Sequence, residues 1–373
     1  MSNIEQIRNQ CIENICEIIK NGKLKSQQQD FFNKRIISKW TNFYNNFKII
    51  GTCFFRGCDK PTIKNSHTIT NSNCLKTISE SNHLLQPQYH YFKKSIELQK
   101  VGINEASTFP GFCEDHENTF KEFETHEIID ESSLMLYQSY RVICREIHFY
   151  EVLLKCSNSI NQYYQKLLNQ EANDLYKKEL LKKNLNSECL QSLDFNITNR
   201  LLGEINSTSK EHIKYISRLK KFKCAYDCFM NTDNNNQGLQ YKGVKYKYKL
   251  PVAMGGCAQV RFNKSKVFVF TLNVVPINNY TYVFIKSDDL HIDFFNKMVE
   301  IYFNNPLKTL SLIESFMIYG TDNWFISPKY WDSIPGTTRN NILKNLNFSP
   351  DFNFKELPFS IFEDVKKIMQ GSQ

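Results

Sequence analysis

The stretches Cys53-Phe-Phe-Arg-Gly-Cys58 and Phe109-Pro-Gly-Phe-Cys113-Glu-Asp-His116 decide how the first third of this chain folds. Each carries two side chains that bind metals, and each contains a glycine that lets the backbone turn sharply. Two cysteines around a tight turn, and a Cys-x2-His at a helix start, suit a tetrahedral zinc site. The predicted ligands of one structural Zn²⁺ ion are therefore Cys53, Cys58, Cys113 and His116.

The order of these two stretches predicts a treble-clef finger. In that plan a knuckle supplies two ligands, a hairpin follows, and the N-terminus of a helix supplies the other two. Residues 59–112 make a long insertion for such a finger, so the spacing permits the plan without requiring it. The alternative at this point is that the segment binds no metal or uses another set of ligands.

Composition indicates a folded protein in a reducing compartment. The chain has 373 residues, 41% of them hydrophobic, and its net charge is +9. It shows no apolar run long enough for a membrane span, and its N-terminal residues lack the apolar core of a signal peptide. We therefore expect a cytoplasmic protein without a membrane partner, in which the twelve cysteines are buried thiols and metal ligands.

Residue patterns divide the chain into four predicted domains. Residues 1–49 are predicted to form N-terminal helices, and 50–126 carry the zinc module in a segment rich in Gly, Pro, Ser and Asn. Residues 127–230 show helical periodicity, including one helix of unusual length that begins near Leu134. After the polar run 231–238 the residue pattern alternates with a period of two, as in β-strands, and residues 239–373 are predicted to form a separate domain.

The predicted fold class is α+β with several domains. Its parts are helix-rich N-terminal and middle regions, an inserted treble-clef zinc finger, and a C-terminal α+β domain with an antiparallel sheet. In the last domain, strands are predicted at Val267 and Tyr282, and helices over 291–303 and 307–317.

Residues 53–124 resemble the HNH, or His-Me finger, nuclease modules, which are built on a treble clef. Ser66-His67-Thr68-Ile69 matches the context of the catalytic histidine in that family, and His116-Glu-Asn-Thr-Phe120 loosely matches its helix histidine. The resemblance implies that His67 activates a water molecule and that His116 helps to hold a divalent ion, such as Mg²⁺, against the scissile phosphate. Asn104 and Asn118 are the candidates for the asparagine that orients the catalytic histidine in the family.

The two roles of His116 compete. If His116 closes the zinc site, the nuclease ion loses its helix ligand, and the module becomes a structural finger without that active site. If His116 holds the catalytic ion, the three cysteines need a fourth ligand from Asp115, His126 or His67. His67 itself then has two interpretations, as a general base or as a structural or zinc-binding histidine.

Two basic stretches are predicted to contact nucleic acid. One lies at a predicted helix end and contains Arg218, Lys220, Lys221 and Lys223. In the other, every second residue is a lysine, which predicts one face of a strand with Lys245, Lys247 and Lys249. Positive side chains with interleaved aromatic residues suit a groove that binds phosphates. The alternative is that both stretches are simply solvated surface.

These observations predict a metal-dependent, HNH-like endonuclease that acts on DNA or, as the less favoured substrate, RNA. The alternative is a noncatalytic zinc-finger protein that binds nucleic acid or a partner protein subunit. By the same resemblance, a role in microbial antiviral defence or in a mobile element is implied.

Overall fold

The structure is a computed structural model, and it describes residues 38, 41–42, 51–90, 95–125, 131–182, 203–231, 239–261, 267–288 and 292–371. By packing, the chain divides into two compact units. One comprises 1–47 with 150–214, and the other comprises 48–149 with 215–373. The four domains predicted from composition remain a prediction.

The second unit is organised by a seven-stranded antiparallel sheet. In sheet order its strands are β3, β2, β9, β6, β7, β8 and β5. The central strands β6 and β7 are apolar over nearly their whole length and are buried on both faces, as expected for strands covered on both sides. In chain order the strands of this sheet are β2 His83–His90, β3 Ser95–Gly102, β5 Leu239–Tyr246, β6 Val252–Arg261, β7 Val267–Ile277, β8 Tyr280–Asp288 and β9 Trp324–Ile326.

A second, two-stranded sheet pairs β1 Ser66–His67 with β4 Thr108–Phe109. A π-helical turn, Asn71–Leu75, continues directly into the first short helix. The helices described are α1 Lys76–Ile78, α2 Glu114–Thr125, α3 Glu131–Lys182, α4 Gly203–Asn231, α5 Ile292–Tyr302, α6 Pro306–Tyr319, α7 Pro328–Ser333, α8 Gly336–Asn345 and α9 Glu363–Gly371.

The two faces of the large sheet carry different parts of the chain. One face packs on the C-terminal helices through residues such as Met254, Phe270 and Phe316. The other face, which includes Ala253, Val275 and Phe284, packs on the segment that follows β1 through Ile69, Leu75 and Ile78. The elements around His67 are therefore held against the second face of the sheet.

The expected mixture of helices and an antiparallel sheet is confirmed. The long helix predicted from Leu134 is observed as α3, and the two predicted C-terminal helices are observed as α5 and α6. The helices predicted within 1–49 and the boundary predicted at 231–238 lie almost entirely outside the described residues.

The sheet extends beyond the predicted C-terminal domain at 239–373. Strands β2 and β3 come from the insertion between Cys58 and Cys113, and Leu85 of β2 pairs with Ile326 of β9. The residue pattern assigns the insertion to the finger, because turn-forming residues, many polar residues and Pro87 mask this short hairpin. The hairpin obtains its partner strand only in the folded protein.

Candidate metal centre and the adjoining cavity

The first pair of cysteines lies in a tight backbone knuckle. The Cys53 amide donates to the Lys60 carbonyl at 3.0 Å, and the Cys58 amide donates to the Phe55 carbonyl at 3.2 Å. Gly57 has a φ of +77°, in the left-handed region that suits glycine, and this turns the chain before Cys58. Both thiols consequently point toward the same space.

The second pair lies at the start of α2. Cys113 immediately precedes the helix, and His116 lies in its first turn. Glycine at position 111 allows the backbone before Cys113 to pass close to the Phe109 ring, because a Cβ atom there would lie 2.3 Å from that ring. Backbone bonds join this segment to the knuckle, since the Phe54 amide donates to the Gly111 carbonyl at 3.0 Å.

These two pairs meet. The ligand atoms of Cys53, Cys58, Cys113 and His116 all lie within 4.8 Å of one another. The sulfur atoms of Cys58 and Cys113 are 3.8 Å apart, and Nδ1 of His116 lies 3.3 Å from the Cys53 sulfur and 3.2 Å from the Cys113 sulfur. Zinc–sulfur bonds of about 2.3 Å in a tetrahedron place two sulfurs about 3.8 Å apart. The four side chains can therefore hold a metal ion such as zinc.

Neighbouring side chains hold this Cys3His cluster in place. The Phe55 ring stacks on the His116 imidazole with a centroid distance of 4.1 Å and an interplanar angle of 3°. Lys60 of the knuckle forms an ion pair with Asp115 of α2. Burial raises the pKa of the Cys53 thiol to about 12.

His67 lies outside this cluster, on the strand pair between the knuckle and α2. It belongs to β1 and faces Thr108 of β4 in the register. Its ring nitrogen Nδ1 lies 3.2 Å from the Ala106 carbonyl oxygen. A carbonyl can only accept, so this contact places the proton on Nδ1 and the lone pair on Nε2.

His67 lines an open, polar cavity of about 780 Å³. Around it lie one lysine, a second histidine, asparagines and one carboxylate: Asn71, Lys76, Asn82, His83, Asn104 and Glu105. Asn104, a candidate for the orienting asparagine, accepts a hydrogen bond from Asn71 at 3.1 Å. Asn118, the other candidate, is exposed on α2 and is not among the residues that line the cavity. The ring of His67 is oriented by a backbone carbonyl.

A buried ion pair lies beside His67. Glu117 of α2 accepts from the Arg141 guanidinium at 3.0 Å, and its carboxylate is 3.4 Å from the backbone nitrogen of His67. The Arg141 side chain is fully buried and lies over the Phe120 ring at 4.8 Å. Glu117 thus connects the helix that carries His116 to the strand that carries His67.

The basic residues predicted at the end of α4 have different environments. Lys220 and Lys221 are exposed, whereas Arg218 donates to Gln259 at 2.9 Å. Lys223 has only 12% of its side chain exposed and pairs with Asp227 at 2.7 Å. The structure therefore places Lys223 in a mostly buried ion pair within α4, whereas Lys220 and Lys221 are exposed.

The three lysines of the second stretch are exposed but do not share one strand. Strand β5 ends at Tyr246, so Lys247 and Lys249 lie in the connection to β6. Lys245 pairs with Glu131 at 3.2 Å and lies over the Tyr280 ring. Lys249 donates to the Thr77 carbonyl at 3.1 Å, and Thr77 follows Lys76, a residue that lines the cavity.

Sequence reasoning assigned no role to Lys76 or Asn71 and gave His83 only a default surface or packing role. None of these residues lies in a motif, and their association with His67 depends on the pairing of β2 with β3 and on the turn at 71–75. The repeated Asn and His residues of the insertion were the available signal, and they are too common to be specific.

Comparisons with known proteins leave the structure as the main guide to function. No protein-family profile, curated protein or solved structure matches this chain. Among the helices that the structure describes, none has a stretch long and apolar enough to cross a membrane.

Proposed function

We propose that the protein is a metal-dependent, HNH-like endonuclease whose general base is His67. A zinc ion on the Cys3His cluster would join the knuckle to α2 in a treble-clef arrangement. One observation carries the proposal: His67 lines an open polar cavity, and the Ala106 carbonyl holds its ring by Nδ1.

The chemistry follows from the tautomer of His67. With the proton on Nδ1, the lone pair of Nε2 can take a proton from a water molecule that attacks the phosphorus of a phosphodiester. A second, divalent ion would neutralise charge that develops on the phosphate. Among the described residues only the Cys3His cluster groups three or more metal-binding side chains. The second ion would therefore rely on few protein ligands and on phosphate and water oxygens, as Mg²⁺ commonly does.

The exposed lysines support nucleic acid as the substrate. Lys249 is bonded to the carbonyl of Thr77, beside the cavity-lining Lys76, so positive charge extends from the cavity onto the neighbouring surface. Such charge attracts the phosphate backbone of DNA or RNA. A cytoplasmic location and a role in microbial defence belong to the same proposal.

A second candidate is favoured by the position of His116. Because its Nδ1 atom is 3.2 Å from the Cys113 sulfur, the helix histidine is committed to the Cys3His cluster. In HNH modules that histidine holds the catalytic ion. The alternative function is therefore a noncatalytic zinc module that binds nucleic acid or a partner protein.

Substitution of His67 separates these two functions. We expect His67→Ala to lower cleavage of duplex DNA, single-stranded DNA or RNA in Mg²⁺ by roughly 10²-fold or more, with zinc content and Tm nearly unchanged. Thr108→Ser is the matched control, because Thr108 faces His67 in the strand pair, bears no base, and keeps as serine the hydroxyl that donates to the Glu105 carbonyl.

Two results would refute the nuclease. The first is a parent protein that cleaves none of the three nucleic acids. The second is a His67→Ala protein that loses both zinc and stability, since His67 would then be structural. Either result favours the noncatalytic zinc module.

A further inference from the structure

His83 is a second histidine at the cavity of His67. It begins β2, pairs with Gly102 of β3, and lines the same cavity. Its ring nitrogen Nδ1 lies 2.7 Å from the Ser81 carbonyl oxygen. Both imidazoles are thus held in the same way, by a backbone carbonyl at Nδ1, and in the neutral ring this puts the lone pair on Nε2.

The backbone next to both rings adopts left-handed conformations. Four non-glycine residues in the described part of the chain have a positive φ, and three of them flank the cavity: Ser81, Asn82 and Ser107. Ser81 supplies the carbonyl that holds His83, and Ser107 follows Ala106, which supplies the carbonyl that holds His67. Ser81 and Asn82 are the two central residues of the tight turn that joins Glu80 to His83, and such a turn requires a positive φ at both positions.

The cavity also offers groups that suit a phosphodiester. Lys76 is an exposed cation on its wall, and the amides of Asn71 and Asn104 are hydrogen-bonded to each other there. Glu105 is the one carboxylate among the residues that line it. A lysine and two imidazoles that line one cavity can supply positive charge and proton donors to a phosphate.

We propose that His83 is a further catalytic residue, the general acid for phosphodiester cleavage in this cavity. The inference rests on the proposed role of His67 as base. In the step, Nε2 of His67 takes a proton from water while the water oxygen forms a bond to phosphorus. The bond from phosphorus to the leaving oxygen breaks, and protonated His83 gives its proton to that oxygen. Lys76 contacts a nonbridging oxygen of the phosphate.

The leaving group provides the test. An oligonucleotide expels a sugar alkoxide, which needs a proton, whereas bis(4-nitrophenyl) phosphate expels 4-nitrophenolate, which does not. We expect His83→Gln to lower kcat on the oligonucleotide by roughly 10²-fold and to change kcat on the nitrophenyl ester less than about threefold. His67→Ala should lower kcat on both substrates. His83→Ala is measured beside His83→Gln, and Lys100→Gln, an exposed change on the adjacent strand, is the control.

The losses measured on the two substrates test the role of His83 separately from that of His67. Equal losses on both substrates, or no loss on either, would overturn the role of His83 as acid while the nuclease with His67 as base stands. A parent protein that cleaves neither substrate would refute the proposed function, and the role of His83 with it. A selective loss on the oligonucleotide in both His83 variants supports the inference.

Discussion

The Cys3His cluster and the His67 cavity lie in one segment of the chain but differ in how closely their functional side chains are grouped. The cluster brings Cys53, Cys58, Cys113 and His116 together within 4.8 Å, against stacked aromatic rings. The cavity instead spaces His67, His83 and Lys76 around an open volume. A closed set of four ligands suits structure, whereas separated groups at an open surface suit a substrate.

Glu117 and Arg141 lie between these two regions. The carboxylate of Glu117 contacts the backbone of His67, and the helix that carries it also carries His116. The position of His67 therefore depends on the same helix that completes the metal site. Loss of the metal should therefore disturb both regions, whereas loss of a cavity group should leave the metal in place.

The largest effect is expected from Cys113→Ser. Loss of one zinc ligand should remove zinc from the purified protein and lower Tm by about 10 °C or more, because metal binding contributes directly to folding. Cys74→Ser is the matched control: Cys74 is fully buried in the same segment but lies outside the cluster. Elemental analysis and calorimetry give both readouts. Retention of zinc and Tm by Cys113→Ser would contradict a structural metal site.

A smaller effect is expected from Glu117→Gln. The change removes the negative charge that pairs with the buried Arg141 guanidinium, which should lower the free energy of unfolding by about 2 kcal/mol while zinc content stays the same. Glu114→Gln, an exposed change on the same helix, should have little effect. Loss of zinc in Glu117→Gln would mean that the cluster and the cavity are not separable.

Charge reversal of the lysines should have a moderate effect on binding. We expect Lys249→Glu to weaken binding of duplex DNA or RNA by roughly tenfold at low salt and to reduce the salt dependence by about one released ion. Lys245→Glu should do less, because Lys245 already pairs with Glu131. Lys242→Glu makes the same charge change on β5 and is the control. If all three variants bind equally well across a salt series, Lys245 and Lys249 have no role in binding nucleic acid.

The smallest effect is expected from Gly57→Ala. A Cβ atom at Gly57 would meet no other atom within 4 Å, so the cost comes only from its positive φ and should be about 1 kcal/mol. Gly336→Ala also adds a Cβ in open space, but no positive φ applies there, so its Tm should not fall. Equal melting temperatures for the two variants would show that the knuckle tolerates another backbone conformation.

The sequence alone was sufficient to predict the features that depend on residues close together in the chain. The knuckle and the helix start are local structures whose residue types and spacing are visible in the chain, and the four ligands predicted from them do lie together. The contact between the two pairs, such as Cys58 with Cys113, 55 residues later, depends on the fold. The length of α3 and the strands β7 and β8 follow from hydrophobic periodicity in the same way. Whether this arrangement is a treble clef of the nuclease type remains a prediction.

Only the tertiary structure decided which distant residues meet. The pairing of Leu85 with Ile326 brings the insertion into the large sheet, and the turn between β3 and β4 brings the cavity walls to His67. Burial of Lys223 beside Asp227 likewise depends on how α4 packs. Contacts between distant segments leave no periodic trace in the chain, because the side chains that form them are selected for the shape and polarity of a partner surface that exists only after folding.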